Sequence, residues 1–308
     1  MPQRSLLAWL LRTALAVQAA LLLSFLLWRW PISPVQAVAG ALAIVGIAPL
    51  VLAIQFVLLR VVARSDSAVP QASAMELARA WIGEVGSLVR VFYWRLPFRW
   101  QAPPDFLDPA CTGRTGAVLI HGFVCNRGFW APWLRRLRQQ QQAHVAVNLE
   151  PVFGSIDDYV PIIEAAVQRV TRLTGAAPVL ICHSMGGLAA RAWLRAAGDG
   201  GRIAHLVTIG SPHHGTWLGR FSNMPNGRQM RQRGAWIADL ERAEALSPLP
   251  PSTCWYSNCD NIVFPPSTAM LAHARNRFLP GEAHVAMAFH PDVMTATFRL
   301  LEAPTRPT

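Results

Sequence analysis

Two long apolar stretches open the chain. Leu6–Trp28 is interrupted only by Arg12, Thr13, Gln18 and Ser24, and Val35–Leu59 carries no charge. At 1.5 Å per residue the second stretch makes roughly 37 Å of helix, enough to cross a hydrocarbon core of about 30 Å with tilt. The first suffices if Arg12 snorkels toward an interface. Trp28, Arg29, Trp30, Pro31 and Pro34 lie between them and combine boundary tryptophans with turn-forming prolines. This pattern predicts a transmembrane helical hairpin over residues 1–64, with helices at about 6–28 and 35–59. A signal peptide ending near Ala37–Ala39 competes with it, but the long second run acts as a stop-transfer. Arg4, Arg12, Arg60 and Arg64 flank the hairpin, against Arg29 alone in its turn. The positive-inside rule then predicts a multi-pass inner (plasma) membrane protein with its remaining chain in the cytoplasm; a periplasmic placement is the alternative.

Residues 65–115 read as a juxtamembrane connector. Leu77, Trp81, Val85, Leu88 and Phe92 recur at spacings of three and four, predicting an amphipathic helix over 75–93. With Arg90, Arg95 and Arg99 nearby, its apolar face fits either an anionic membrane surface or the domain that follows. Pro97, Pro103, Pro104 and Pro109 end regular structure before the next element.

From Gly116 onward short apolar runs alternate with helical periodicities. Strands are predicted at 117–120, 145–149, 179–182, 203–209 and 253–256, and helices at 129–142, 156–173 and 186–197. Strands separated by helices of this length imply right-handed crossovers and a mostly parallel sheet with helices on both faces, an α/β domain over 116–308.

Composition narrows the class. Of 308 residues, 52 % are hydrophobic and 15 % charged, against roughly 25 % charged in an ordinary soluble domain. That excludes a disordered or collagen-like chain, and much of the apolar excess lies in the first sixty residues. The 28 basic residues are all arginine and the net charge is +11. Such charge fits nucleic acid, anionic lipid or codon preference. The arginines are dispersed and no nucleic-acid motif is present, so no nucleic-acid partner is expected.

The strongest chemical signal follows the third strand. Cys182-His183-Ser184-Met185-Gly186-Gly187 sits between a buried strand and a helix start, the strand–turn–helix setting of a G-x-S-x-G nucleophile elbow. Its serine occupies a strained turn, so the residues two positions away, Cys182 and Gly186, must be small. The helix beginning after Ser184 aims its N-terminal amides at developing negative charge. His121-Gly122-Phe123 follows the first strand, where such a fold supplies a second oxyanion amide, so the donors are assigned to the backbone N–H groups of Phe123 and Met185. Gly122 permits the sharp path. His121 is read as orienting that loop, because it precedes Ser184 and the triad order here is Ser, acid, His.

The acids after Ser184 are Asp199, Asp239, Glu241, Glu244, Asp260, Glu282 and Asp292. Only Asp260 follows a strand at a turn, where such a sheet displays catalytic groups. His284 follows the Pro280-Gly281 loop signal, 24 residues after Asp260, leaving room for a crossover helix and a short strand. It is the expected base, with His290 as the alternative. His213 and His214 are expected to line the cleft, and His205 and His273 to be ordinary surface or satisfied core histidines.

Five motifs in this order, His121–Asn126, Cys182–Gly187, Thr208–Thr216, Asp260–Pro265 and His284-Val285, resemble those of a bacterial triacylglycerol lipase or esterase of the α/β-hydrolase superfamily. The resemblance covers about residues 116–295 and leaves the hairpin and connector outside. It implies carboxylic-ester hydrolysis of a lipid or other acyl ester, with Ser184, Asp260 and His284 at the triad positions and Phe123 and Met185 at the oxyanion positions. No metal or cofactor is needed. Cys182 departs from the glycine or alanine of many members, and its thiol is small enough for a slightly tighter elbow. A thioesterase or lipid amidase shares all these residues, and a non-catalytic membrane-anchored scaffold is the rival from another class.

Residues 217–236 mix Phe221, Met224, Met230 and Trp236 with arginines, a pattern that suits either a lid or a plain crossover. The five cysteines, an odd count without metal-ligand spacing, are read as free thiols. Cys254 and Cys259 would bridge only in an oxidising compartment.

Overall fold

The computed structural model describes residues 5–247 and 249–302. Its centre is a six-stranded, all-parallel sheet in the order β2-β1-β3-β4-β5-β6. The strands are β1 (Ala117–Ile120), β2 (His144–Ala146), β3 (Val179–His183), β4 (His205–Ile209), β5 (Ser252–Tyr256) and β6 (Arg275–Phe278). Successive side chains of a strand point to opposite faces, and the burial follows that period. Leu119, Ile181, Val207 and Ile209 join one core with Trp133 and Phe298, while Val118, Ile120, Leu180 and Leu206 join the other.

α5 (Ala131–Gln139) and α11 (Pro291–Glu302) cover the first face. α6 (Val160–Thr174), α7 (Met185–Ala197) and α9 (Ala235–Leu246) cover the second. Short helices α8 (Pro225–Gln229) and α10 (His284–Met287) sit in the loops above the strands. Several predicted elements shift. β2 closes at Ala146 instead of running to 149, although Val147 N–H still reaches Leu119 O at 3.1 Å. β4 starts at His205 because residues 200–202 coil into a 3₁₀ turn capped by Asp199. The predicted helix 129–142 divides into a 3₁₀ turn, Arg127–Trp130, and α5, which accommodates Pro132 in its first turn. No crossover helix joins β5 to β6; a 3₁₀ turn at Pro266–Ala269 replaces it.

The N-terminal helices are α1 (Leu6–Arg29) and α2 (Pro34–Val62), an antiparallel pair joined by a short turn, both long and apolar enough to cross a membrane. Each enters the α/β core at one end. On α1, Leu7 and Ala8 are buried, Leu6 N–H binds Glu150 Oε1, and Arg12 Nε donates to Pro97 O at 2.6 Å. On α2, Phe56 and Leu59 pack with Phe264, Cys259 and Ala283. The outward stretches between these ends, residues 13–29 and 34–54, measure about 25 Å and 31 Å.

α3 (Ala74–Leu88) starts with a capping box, Ser73 and Glu76, and passes into a π-helical turn at Val89–Arg95, then α4 (Leu96–Phe98). Its buried positions are Leu77, Ala80, Glu84 and Ser87, followed by Val91, one residue round from the predicted apolar stripe. The small Ala80 and Ser87 allow the helix to approach α2 and α10 closely, and Glu84 finds partners there. Its opposite side leaves Met75, Ile82, Val89 and Trp94 exposed.

Candidate active site

Ser184 lies at the C-terminal end of β3, with φ 55° and ψ −129°, in the sparsely occupied positive-φ half of conformational space. Its N–H donates to Ile209 O at 2.9 Å, which ties the strained turn to the neighbouring strand. Close approach explains the small neighbours. A Cβ on Gly122 would lie 2.7 Å from Ser184 Cβ, and one on Gly186 would lie 2.4 Å from Ile120 O. Cys182 is fully buried, and burial pushes its thiol well above the ordinary range, so it is a small packing residue.

The loop after β1 is fixed by His121. Leu149 N–H donates to His121 Nε2 at 3.1 Å, so Nδ1 carries the proton and donates to Gly122 O at 2.9 Å. Burial lowers the His121 pKa to about 4, which keeps the ring neutral. Phe123 follows in this turn and meets Phe153 edge-on, with ring centroids 5.9 Å apart.

Asp260 and His284 come together from separate loops. His284 Nδ1 donates to Asp260 Oδ2 at 2.9 Å, and Asp260 Oδ1 accepts the N–H groups of Ile262 at 2.9 Å and Val263 at 2.7 Å. Ser184, Asp260 and His284 are 6 %, 1 % and 4 % exposed. Burial opposes the imidazolium, but the charge and hydrogen bond of Asp260, with a smaller push from Glu84, raise the His284 pKa above the ordinary histidine value.

His183, beside Ser184, donates from Nε2 to His284 O at 3.1 Å and stacks on Phe129 at 4.5 Å. Its ring lies 4.6 Å from that of His284, and burial drives its pKa well below the usual value. One neutral imidazole thus joins the serine turn to the His284 loop.

Other expected residues are placed elsewhere. His213 does not line the cleft: it is fully buried, with Nε2 2.9 Å from Thr208 Oγ1 and its carbonyl accepting from Arg191 Nη1 at 2.8 Å. The reason is Arg191, itself buried and paired with both oxygens of Glu244, which needs that carbonyl as a further acceptor. His214 lies at the surface against Glu241. His290 Nδ1 accepts Asp292 N–H at the start of α11, and Asp239 pairs with Arg242 in solvent. Residues 217–236 form a 3₁₀ turn and α8, anchored where the buried Asn226 donates to Val152 O, and the true crossover is α9. All five cysteines are free.

Three groups given no role in the sequence reading also reach the site. Glu84 of α3 accepts the N–H groups of Val285 and Ala286, Asn261 Oδ1 accepts His284 N–H at 3.3 Å, and Gln55 of α2 accepts from Asn261 Nδ2 at 2.8 Å. The available signal was an acid within an otherwise apolar helix face and a glutamine within an uncharged apolar run.

No curated protein matches the sequence. Similar solved structures include lipase B of Aspergillus fumigatus, at 16 % identity and TM-score 0.56, with 67 % of this chain and 56 % of that one aligned. This chain therefore spans little more than half the length of that lipase. Bacillus licheniformis lipase BlEst2 in mature form aligns at 15 % identity and TM-score 0.55, over 65 % of this chain and 95 % of its own. Phospholipase PlaB from Legionella pneumophila aligns at 12 % identity and TM-score 0.51, over 63 % and 61 %. At these identities the likeness is one of fold. The model of the alpha/beta hydrolase family matches residues 117–304, more than half of the chain. The motifs in strand–turn–helix order, the parallel sheet and this match establish that the chain belongs to the alpha/beta hydrolase family.

Proposed function

We propose that the protein is a membrane-anchored serine hydrolase that cleaves carboxylic esters of lipids or related acyl esters. The observation that carries this reading is the buried 2.9 Å His284–Asp260 pair joined through His183 to the strained Ser184 turn. In the proposed reaction Ser184 Oγ attacks the ester carbonyl and His284 takes its proton. Asp260 holds the imidazole tautomer and stabilises its cation. The N–H groups of Phe123 and Met185 hold the oxyanion, the alcohol leaves with the proton from His284, and water then cleaves the acyl-enzyme. The names of the similar lipases and phospholipase favour lipid esters as the substrate class.

The anchor is the α1–α2 hairpin. Its support is the exposed apolar length between two docked ends, together with Trp28 and Trp30 at the tip. Cleavage as a signal peptide would remove Ser5, Leu7 and Arg12 from the contacts they make with Asn126, the core and Pro97. Arginine placement puts the hydrolase side in the cytoplasm; a C-terminal reporter active only in the periplasm would reverse that orientation.

Labelling of the full-length protein by a fluorophosphonate, abolished in Ser184→Ala, tests the chemistry. Folded wild-type protein that takes no label sinks the hydrolase reading. Turnover of p-nitrophenyl esters of increasing chain length, compared with the matching thioesters and amides, then assigns the substrate class.

A further inference from the structure

Glu84 is an acid in the middle of a buried helix face, 3 % exposed and flanked by Leu77, Ala80, Ser87 and Val91. Both carboxylate oxygens are used: Oε1 accepts Val285 N–H at 2.9 Å and Oε2 accepts Ala286 N–H at 3.2 Å. These amides open α10 immediately after His284, where a helix leaves its first N–H groups without internal partners. Four backbone polar groups at the imidazole are therefore held by side chains. His284 N–H goes to Asn261, its carbonyl to His183, and the next two N–H groups to Glu84. Glu84 lies outside the family-matched region, and so does Gln55 of α2, which orients Asn261. Trp81, one turn before Glu84, also donates from Nε1 to Pro49 O of α2 at 3.0 Å, so α3 bridges the hairpin and the base loop.

We propose that Glu84 is a positioning residue for His284, and that through it the N-terminal helices complete the active site. The proposal rests on the reading of His284 as the general base. Fixing residues 285 and 286 fixes the backbone that carries the imidazole, and the carboxylate adds a second negative charge that favours the imidazolium formed when Ser184 loses its proton. The ionisable groups facing Glu84 are His284 and Asp260. Glu76 on the same helix turns instead to Ser73, α2 presents the uncharged Gln55, and Arg90 of the following turn is exposed and bound to Gly86 O. Burial raises the Glu84 pKa from 4.5 to about 7 in spite of its two hydrogen bonds, so its full charge is present only above neutral pH.

The test uses the full-length protein in detergent or nanodiscs, with kcat and KM measured against pH on a p-nitrophenyl ester and active sites counted by fluorophosphonate. Glu84→Gln keeps the shape and removes the charge. The expected result is a fall in kcat of about 10-fold or more with KM changed less than about 2-fold, since a small misplacement of a reacting group acts on the chemical step. The acid limb of kcat/KM moves to lower pH, because without the nearby negative charge the imidazolium is less favoured and the neutral base persists further into acid. Glu84→Asp keeps the charge but is too short to reach both amides, so kcat falls while the acid limb stays in place. A merely structural glutamate would lower Tm and leave kcat per titrated site and the acid limb of Glu84→Gln at wild-type values; that outcome overturns the proposal. If Glu84→Gln does not fold, wild-type kcat in Glu84→Asp overturns it instead. Failure of the underlying hydrolase reading is separately visible, because the wild type would then take no fluorophosphonate.

Discussion

The two sides of the site are held in different ways. Ser184 is positioned by its own strand, its own turn and the small residues that let β3, α7 and the Gly122 loop approach, all within the family-matched region. Asp260 and His284 stand on loops, and those loops are held partly by residues far away in sequence: Glu84 contacts residues about 200 positions later, and Gln55 likewise. The lesson is physical. A strained turn between a strand and a helix is fixed by local sterics, whereas the two loops after β5 and β6 need buttresses, and here the N-terminal helices supply them.

The largest expected effect is on the serine side. Ser184→Ala should lower kcat by about 10⁴-fold or more, since members of such a triad act as a unit. Circular dichroism should show an unchanged fold; residual turnover near the wild-type rate would break the assignment. On the other side, Leu59→Ala opens a cavity beneath the acid and base loops, where Leu59 packs with Phe264 and Ala283. It should cost about 2–5 kcal/mol in denaturant unfolding, the range for a buried leucine. Amide exchange should rise in residues 259–264 and 283–287 before it rises in β3 and α7. Equal loosening of both sides would erase the contrast drawn above.

Acid should reach the serine side through His121. Its folded pKa, about 4 against 6.5 for an ordinary histidine, is depressed by burial. A depressed pKa contributes stability that is present above pH 6.5 and lost as pH falls toward 4, in full about 3 kcal/mol. Glu84 has the opposite sign, since its raised pKa makes its contribution greatest below 4.5 and loses it as pH rises to about 7. Unfolding curves at pH 7 and 4.5 should therefore fall more steeply with acid in Glu84→Gln than in wild type. Gly186→Ala sharpens the elbow account with a smaller change. Its Cβ would press on Ile120 O and His121 O, backbone atoms that cannot rotate away. A loss of about 1–3 kcal/mol is expected. Wild-type stability would mean that the elbow has more room than these distances allow.

A truncation at residue 65 would separate the α/β domain from the α1–α2 hairpin. The packing of Phe56, Leu59 and Gln55 on the acid and base loops shows that such a cut also removes part of their support. The same packing explains what could be read in advance. Short apolar runs and period-3.6 patterns located most elements to within a few residues, and the elbow was legible because strand, strained serine and small neighbours are contiguous. The far end of β2 and the start of β4 were missed because apolar residues run beyond the regular strand at each. His213 was misplaced because nothing in its own neighbourhood announced the buried Arg191–Glu244 pair that captures its carbonyl.

By itself the sequence determined the order of strands and helices, two apolar helices ahead of them, the serine turn and its small neighbours. These follow from periodicity and short-range sterics, which act between residues close along the chain. Only the tertiary structure decided that Asp260 faces His284, that His183 joins that pair to the serine turn, and that Glu84 and Gln55 reach back from the N-terminal helices to hold it. Those contacts join residues tens to hundreds of positions apart, and side-chain direction and loop path, which no local pattern encodes, bring them within hydrogen-bond reach.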